Sequence, residues 1–313
     1  MKSRISPDQM IFKRSNKRKF IILACMIIAI CVGAIFWKIS VKEVMYDGPM
    51  IDAHEHIGYG NIRINIDNLI MQMDEAGIEK VVLFGDSGAL DAHSKYPNRI
   101  IPFIQFDFYY PGYTAETQET VTLVTTELER GFMGIGEVLL RWNPAYRDIP
   151  ADNPAMLEIA DVAAQRGIPL NVHQNSHYLE EFERLLDHNE NAIIIWAHSG
   201  NANPSVIRMM LENHKNLYAD LSSLTPTFQN MYGPSVIPSI LTKPDESINP
   251  EWKALFEDYP DRFMFGGDKQ DWGSPTFLRE ETEYFRRVLG QLDRGIAENI
   301  AYKNILRLVS GIA

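Results

Sequence analysis

The chain has 313 residues, 45% hydrophobic and 23% charged, so it can bury a large core and lacks the compositional bias of a disordered protein. Its formal charge is −11, but the first twenty residues hold seven basic side chains and one acidic, leaving 23 basic against 40 acidic, or −17, for the rest. So acidic a body lacks the clustered Lys and Arg with which proteins displace counterions from nucleic acid; a small-molecule substrate is expected instead.

Residues 1–19 form a basic tail, and Phe20 to Trp37 is an uncharged apolar run. As a helix this run would span roughly 27 Å, close to the hydrocarbon thickness of a bilayer, so a single transmembrane signal-anchor is expected. Lys13, Arg14, Lys17, Arg18 and Lys19 precede it. They predict a single-pass protein of the cell membrane, with a cytoplasmic N-terminus and a periplasmic or extracytoplasmic body. Removal of the segment after the small residues Val32-Gly33-Ala34 is the competing expectation, against which Ile35, Phe36 and Trp37 extend the apolar run. Both cysteines, Cys25 and Cys31, lie inside this run, so neither a disulfide framework nor a Cys-based zinc site is available and any metal must use His and carboxylates. Residues 38–49 read as a linker and 50–313 as one catalytic domain.

From Met50 onward, apolar runs of strand length alternate with amphipathic stretches, the pattern of parallel βα units. Strands are predicted near 50–56, 80–85, 100–108, 133–141, 169–175, 192–199, 217–223 and 262–268, and helices at 67–76, 114–130, 154–166, 178–188, 205–212 and 277–289. Eight such units over a domain of about 250 residues predict a (β/α)₈ TIM barrel of the α/β class. A glycine-rich dinucleotide fingerprint is absent. The connection between Leu224 and Pro250 also carries Pro226, Pro234, Pro238 and Pro244, and reads either as a lid or as a displaced helix with a surface loop.

His54 and His56 are two apart on the first strand, so alternation lets both point into the barrel while Glu55 turns to the helix layer. Glu137 falls within the fourth strand, His173 near the end of the fifth, His198 near the end of the sixth and Asp268 at the end of the eighth. Because functional groups in this architecture gather from the C-terminal ends of several strands, these residues are expected over one mouth. Imidazoles and carboxylates so grouped suit one or two divalent ions, zinc first and manganese or iron otherwise. His93, His188 and His214 read as solvated, and His177 as a surface or substrate-side residue. Arg141 shares the parity of Glu137 and could grip a substrate carboxylate bidentately or form a surface ion pair. The aromatics Phe106, Phe108, Tyr109, Tyr110 and Tyr113 either line an apolar pocket or pack the rim.

In order, MIDAHEH, GIGEV, NVHQN, AHSG, YADLS and GGD, with AENIAYKNILRL near the C-terminus, resemble the amidohydrolase superfamily and in particular its amidohydrolase-related branch, over about residues 50 to 310. That resemblance implies that His54, His56 and His173 bind metal and that Asp268 both binds metal and serves as general base. It makes His198 a ligand to a second metal or a catalytic histidine beside the bound water. Glu137 stands near the position where many binuclear members carry a carboxylated lysine. Gly136-Glu137-Val138 is similar to the GEIGLD-like motif of TatD-type deoxyribonucleases, which implies a bridging glutamate; a carboxylate that only hydrogen-bonds a ligand histidine is the other reading.

The expected activity is hydrolysis of an amide, ester or lactone of a small substrate by metal-activated water. Non-oxidative decarboxylation of an aromatic or unsaturated acid, also found in this branch, is the runner-up. A TatD-like phosphodiesterase, disfavoured by the acidic charge, and a catalytically silent membrane-tethered binding protein complete the alternatives.

Overall fold

The computed structural model describes residues 45–59, 62–106, 108, 118–141, 149–268 and 276–310. Eight parallel strands follow one another around a single sheet in chain order: β1 (Ile51–His56), β2 (Lys80–Gly85), β3 (Ile100–Ile104), β4 (Ile135–Leu139), β5 (Pro169–His173), β6 (Ile193–Trp196), β7 (Leu217–Asp220) and β8 (Phe263–Met264). Two backbone hydrogen bonds span the seam between last and first, from Ala53 N to Phe265 O at 2.9 Å and from Asp268 N to His54 O at 2.7 Å. The sheet is thus a nearly closed (β/α)₈ barrel, and the second bond sets Asp268 directly beside His54.

Every predicted strand is present, because parallel strands are covered on both faces and therefore read as continuous apolar runs. One face of β2 gives Val81 and Leu83 to the layer between sheet and helices, and the other gives Val82 and Phe84 to a separate cluster with Ile101, Phe103, Ile195 and Met264. Strands β3 to β8 are shorter than predicted at their C-terminal ends, since the chain leaves the sheet there to form the mouth, whereas β1 and β2 end where predicted.

The helices are α1 (Ile66–Ala76), α2 (Ser87–Lys95), α3 (Gln118–Leu128), α4 (Pro154–Arg166), α5 (Leu179–His188), α6 (Pro204–Asn213), α7 (Pro226–Tyr232), α8 (Pro250–Asp258) and α9 (Phe277–Leu289), followed by a helical run from Arg294 to Val309. In α4 the local signals agree: Asn153 caps the Met156 N–H, Pro154 occupies the first turn and Gly167 ends the helix at φ 64°. Helix α2 was not predicted. It buries only Ala89 and Ala92, too slight an apolar stripe to register as a helical period.

The proline-bearing connection is a displaced helix and a tied loop. Leu241 N bonds Leu224 O, Asn249 N bonds Leu241 O, and Ile237, Leu241 and Ile248 are buried in the core. Residues 46–49, at the end of the expected linker, already belong to the packed body, since Tyr46 is buried and exchanges backbone and side-chain hydrogen bonds with Arg286 of α9. Among the described residues no helix is long and apolar enough to cross a membrane. The expected anchor, Phe20 to Trp37, lies outside them.

Candidate metal centre

His54 and His56 extend from β1 with their rings 5.3 Å apart, and Phe84 lies edge-on beneath both, at 4.8 and 5.2 Å. Glu137 reaches in from β4. Its Oε1 lies 2.6 Å from His173 Nδ1, 3.2 Å from His198 Nε2 and 3.8 Å from His54 Nε2, and its Oε2 lies 3.4 Å from His56 Nε2. Asp268 Oδ1 stands 3.8 Å from both His54 Nε2 and His56 Nε2, while Ser223 Oγ donates to Oδ2 at 2.8 Å. All six residues singled out for metal are therefore brought together, from β1, β4 and β5 and from the turns after β6 and β8.

The second ring nitrogens are held from behind. His54 Nδ1 meets Asp220 Oδ2 at 3.0 Å, His56 Nδ1 meets Gln105 Oε1 at 3.3 Å and His198 Nδ1 meets Ser222 Oγ at 2.7 Å. Each of these rings thus directs Nε2 inward. His173 is the exception, presenting Nδ1 to Glu137; at 13% its side chain is the most exposed of the four.

The turns that carry the site adopt unusual backbone. His198, Ser199, Ser223 and Asp268 have φ of 52°, 50°, 64° and 48°. L-residues enter this region at a cost, and such conformations cluster at functional sites. In the same turn Gly200 has φ 63°, and a Cβ there would fall 1.9 Å from the Trp196 ring, so the backbone passes where only glycine fits.

The charge balance of the group suits a cation. Burial would raise the Glu137 carboxyl, but the charges of His173 and His54 and the hydrogen bonds from His173 and His198 hold it well below the ordinary carboxylate range. Asp220, likewise opposed by burial, is held at about 2 by His54, His198 and Ser222. Burial would lower His54, yet the carboxylates of Asp220, Glu137 and Asp268 push it up to about 10. Buried carboxylates so placed demand positive charge, which protons or an ion can supply.

The geometry suits the ion. His54 Nε2 and Asp268 Oδ1 are buried without a hydrogen-bond partner. Among the described residues, one ligand atom each from His54, His56 and Asp268 lie within 4.8 Å of one another, and so do those of His54, Glu137 and His198. Ligand atoms on a tetrahedral zinc ion, with bonds of about 2.0–2.2 Å, stand about 3.3–3.6 Å apart. The 3.8 Å from Asp268 Oδ1 to the Nε2 of His54 and of His56 needs only slight closure.

The family model for amidohydrolases matches residues 71–310. The chain belongs to this family. Similar solved structures include a probable 2-pyrone-4,6-dicarboxylic acid hydrolase from Acinetobacter baumannii, at 15% identity and a TM-score of 0.59 over 83% of this chain and 99% of that one. A 2,6-dihydroxybenzoate decarboxylase follows at 14% identity and a TM-score of 0.55, over 85% and 100%. An amidohydrolase from Burkholderia multivorans with bound zinc is similar at 12% identity and a TM-score of 0.56, over 84% and 99%. At these identities the likeness is one of fold. No curated protein matches the chain in sequence.

The remaining predicted residues divide. Arg141 sits at the mouth end of β4, half-buried, with its guanidinium over the Tyr178 ring at 5.2 Å and paired with Glu181 of α5. Phe106 and Phe108 are buried against each other, rings 5.3 Å apart, whereas Tyr109, Tyr110 and Tyr113 lie outside the described residues. His177 and His188 are exposed. His93 is half-buried on the Ile100 carbonyl at 2.7 Å, and His214, expected in solvent, is buried with Nδ1 3.3 Å from Asp187 Oδ1. The capping position after α6 turns that ring inward.

Sequence reasoning missed Asp220, Gln105, Ser222 and Ser223, which stand behind the cluster. A signal existed for Asp220, since it ends β7 as the other candidates end their strands; that it would face the back of a ligand ring was not readable.

Proposed function

We propose that this chain is a metal-dependent hydrolase that cleaves an amide, ester or lactone bond in a small substrate. The observation that carries this is the convergence of His54 Nε2, His56 Nε2 and Asp268 Oδ1 on one buried point at ion-ligand spacing. A divalent ion bound there, zinc first, would supply a water acidified to a pKa of about 7 and a Lewis acid for the scissile carbonyl.

The chain's own residues supply the rest. Asp268 has Oδ2 held by Ser223 and Oδ1 directed at the same point, so it is placed to accept a proton as general base and return it to the leaving group. His198, fixed through Nδ1 by Ser222, directs Nε2 toward Glu137 and can steady negative charge on the substrate oxygen. Glu137 meets His56 with one oxygen and His173 and His198 with the other, an arrangement that also suits a carboxylate shared between two ions. Arg141 would exchange its Glu181 partner for a substrate carboxylate.

Elemental analysis of the purified full chain, followed by a panel of lactones, esters, amides, hydroxybenzoates and phosphoesters, tests this reading. About one or two zinc ions per chain with turnover of a hydrolysable class are expected. Loss of CO₂ from a hydroxybenzoate would replace hydrolysis by decarboxylation on the same site, and a chain without metal or turnover would leave a silent binding protein. We also infer that Phe20 to Trp37 anchors the chain with its body outside the cytoplasm. Alkaline phosphatase fused to the C-terminus should then be active; an inactive fusion would reverse the orientation.

A further inference from the structure

Five strands of the barrel, β1, β4, β5, β6 and β8, bring or lead into residues that face the candidate ion. The seventh brings Asp220, fully buried, whose two oxygens are crowded by donors. Oδ1 receives the backbone N–H of His198 at 2.9 Å, the backbone N–H of Ser222 at 3.3 Å and the Ser222 hydroxyl. Oδ2 receives Asn171 Nδ2 at 3.1 Å and lies 3.0 Å from His54 Nδ1.

Backbone and amide N–H groups can only donate, so this carboxylate acts as acceptor at both oxygens. His54 must then donate from Nδ1. The Ser222 hydroxyl has one proton and gives it to Asp220, so toward His198 Nδ1, 2.7 Å away, it can only accept. His198 must donate from Nδ1 as well.

We infer that Asp220 is a positioning residue that sets the tautomer of two imidazoles at once, directly on His54 and through the Ser222 hydroxyl on His198. Both rings then turn Nε2, and not Nδ1, toward the candidate ion, His54 within both of the overlapping ligand groups and His198 within one. The consequence for metal binding rests on the reading proposed above; the tautomers themselves do not. The packing leaves little slack, since a Cβ at Gly266 would lie 2.9 Å from the His54 Cβ and 3.0 Å from the Ser222 Cβ.

The test uses long-range ¹H–¹⁵N correlation spectra of the full chain, with and without zinc, the rings assigned through His54→Gln and His198→Gln. Nδ1 should be protonated on both rings in both spectra, with Nε2 bearing the zinc shift. Ser222→Ala should release His198 alone. Asp220→Asn should disturb both rings and weaken zinc about 10- to 100-fold against a competing chelator, as loss of a ligand-orienting carboxylate does.

A wild-type ring found with Nδ1 bare overturns the inference, as does a folded Asp220→Asn chain that binds zinc unchanged. Should Asp220→Asn fail to fold, the wild-type and Ser222→Ala spectra still decide. A wild-type chain that takes up no zinc would sink the metal reading instead, while the metal-free spectrum would still decide the tautomers.

Discussion

The mouth and the interior of this barrel are built from the same strands and are opposite in chemistry. Phe84, Phe103, Val82, Ile101, Ile195 and Met264 form a dry apolar cluster, and Phe84 touches the underside of His54 and His56. At the mouth end of the barrel stand His54, Glu137, Asp220 and Asp268, equally buried but polar or charged, next to backbone in the left-handed region. The interior gains stability by excluding water, whereas the mouth holds desolvated charge and strain that a folding optimum would not select. Burial alone therefore does not mark function here; buried charge on a stable apolar floor does.

The sharpest break between the two regions comes from replacing both His54 and His56 with Ala. Zinc content of the purified chain should fall to background while circular dichroism shows the barrel still folded. Unchanged zinc would mean that the mouth is not the metal site.

The converse change, Phe103→Ala, removes a fully buried ring from the floor and should cost about 3–5 kcal/mol of stability. Denaturant unfolding measures that cost, and zinc stoichiometry should not move. A floor variant that kept its stability but shed its metal would erase the distinction.

Next in size is Asp268→Asn, which retains a weak oxygen ligand but cannot take a proton at neutral pH. Turnover should drop about 10²-fold or more with much of the metal retained. Near-normal turnover would move the proton to another group, with His198 first in line.

The smallest effect is in pH dependence, and its sign differs with metal. In the metal-free chain the folded state pushes His54 up to about 10 from its ordinary 6.5. The stability this gives is complete below about 6.5 and is lost as pH climbs toward 10. Zinc must displace that proton, so its added stabilisation should grow over the same range. Melting temperatures recorded across pH with and without zinc should diverge, and parallel curves would count against a protonated His54.

Much of this was legible in the chain itself. Strands buried on both faces leave unbroken apolar runs, so β1 to β8 could be read one by one, and the mouth residues could be collected because each ends or follows a strand. The weakly amphipathic α2, the inward turn of His214 and the tied connection after β7 could not, since each depends on what a neighbouring element covers.

Sequence by itself thus determined the barrel and the residue types at its mouth, because side-chain alternation and strand order are local properties. Which nitrogen of each ring faces inward, and that Asp220 stands behind His54 instead of beside it, was decided only when β7 closed next to β8 and β8 met β1. Hydrogen-bond donors and acceptors from strands 166 residues apart have no partner until the barrel shuts, and their pairing is a property of that closure.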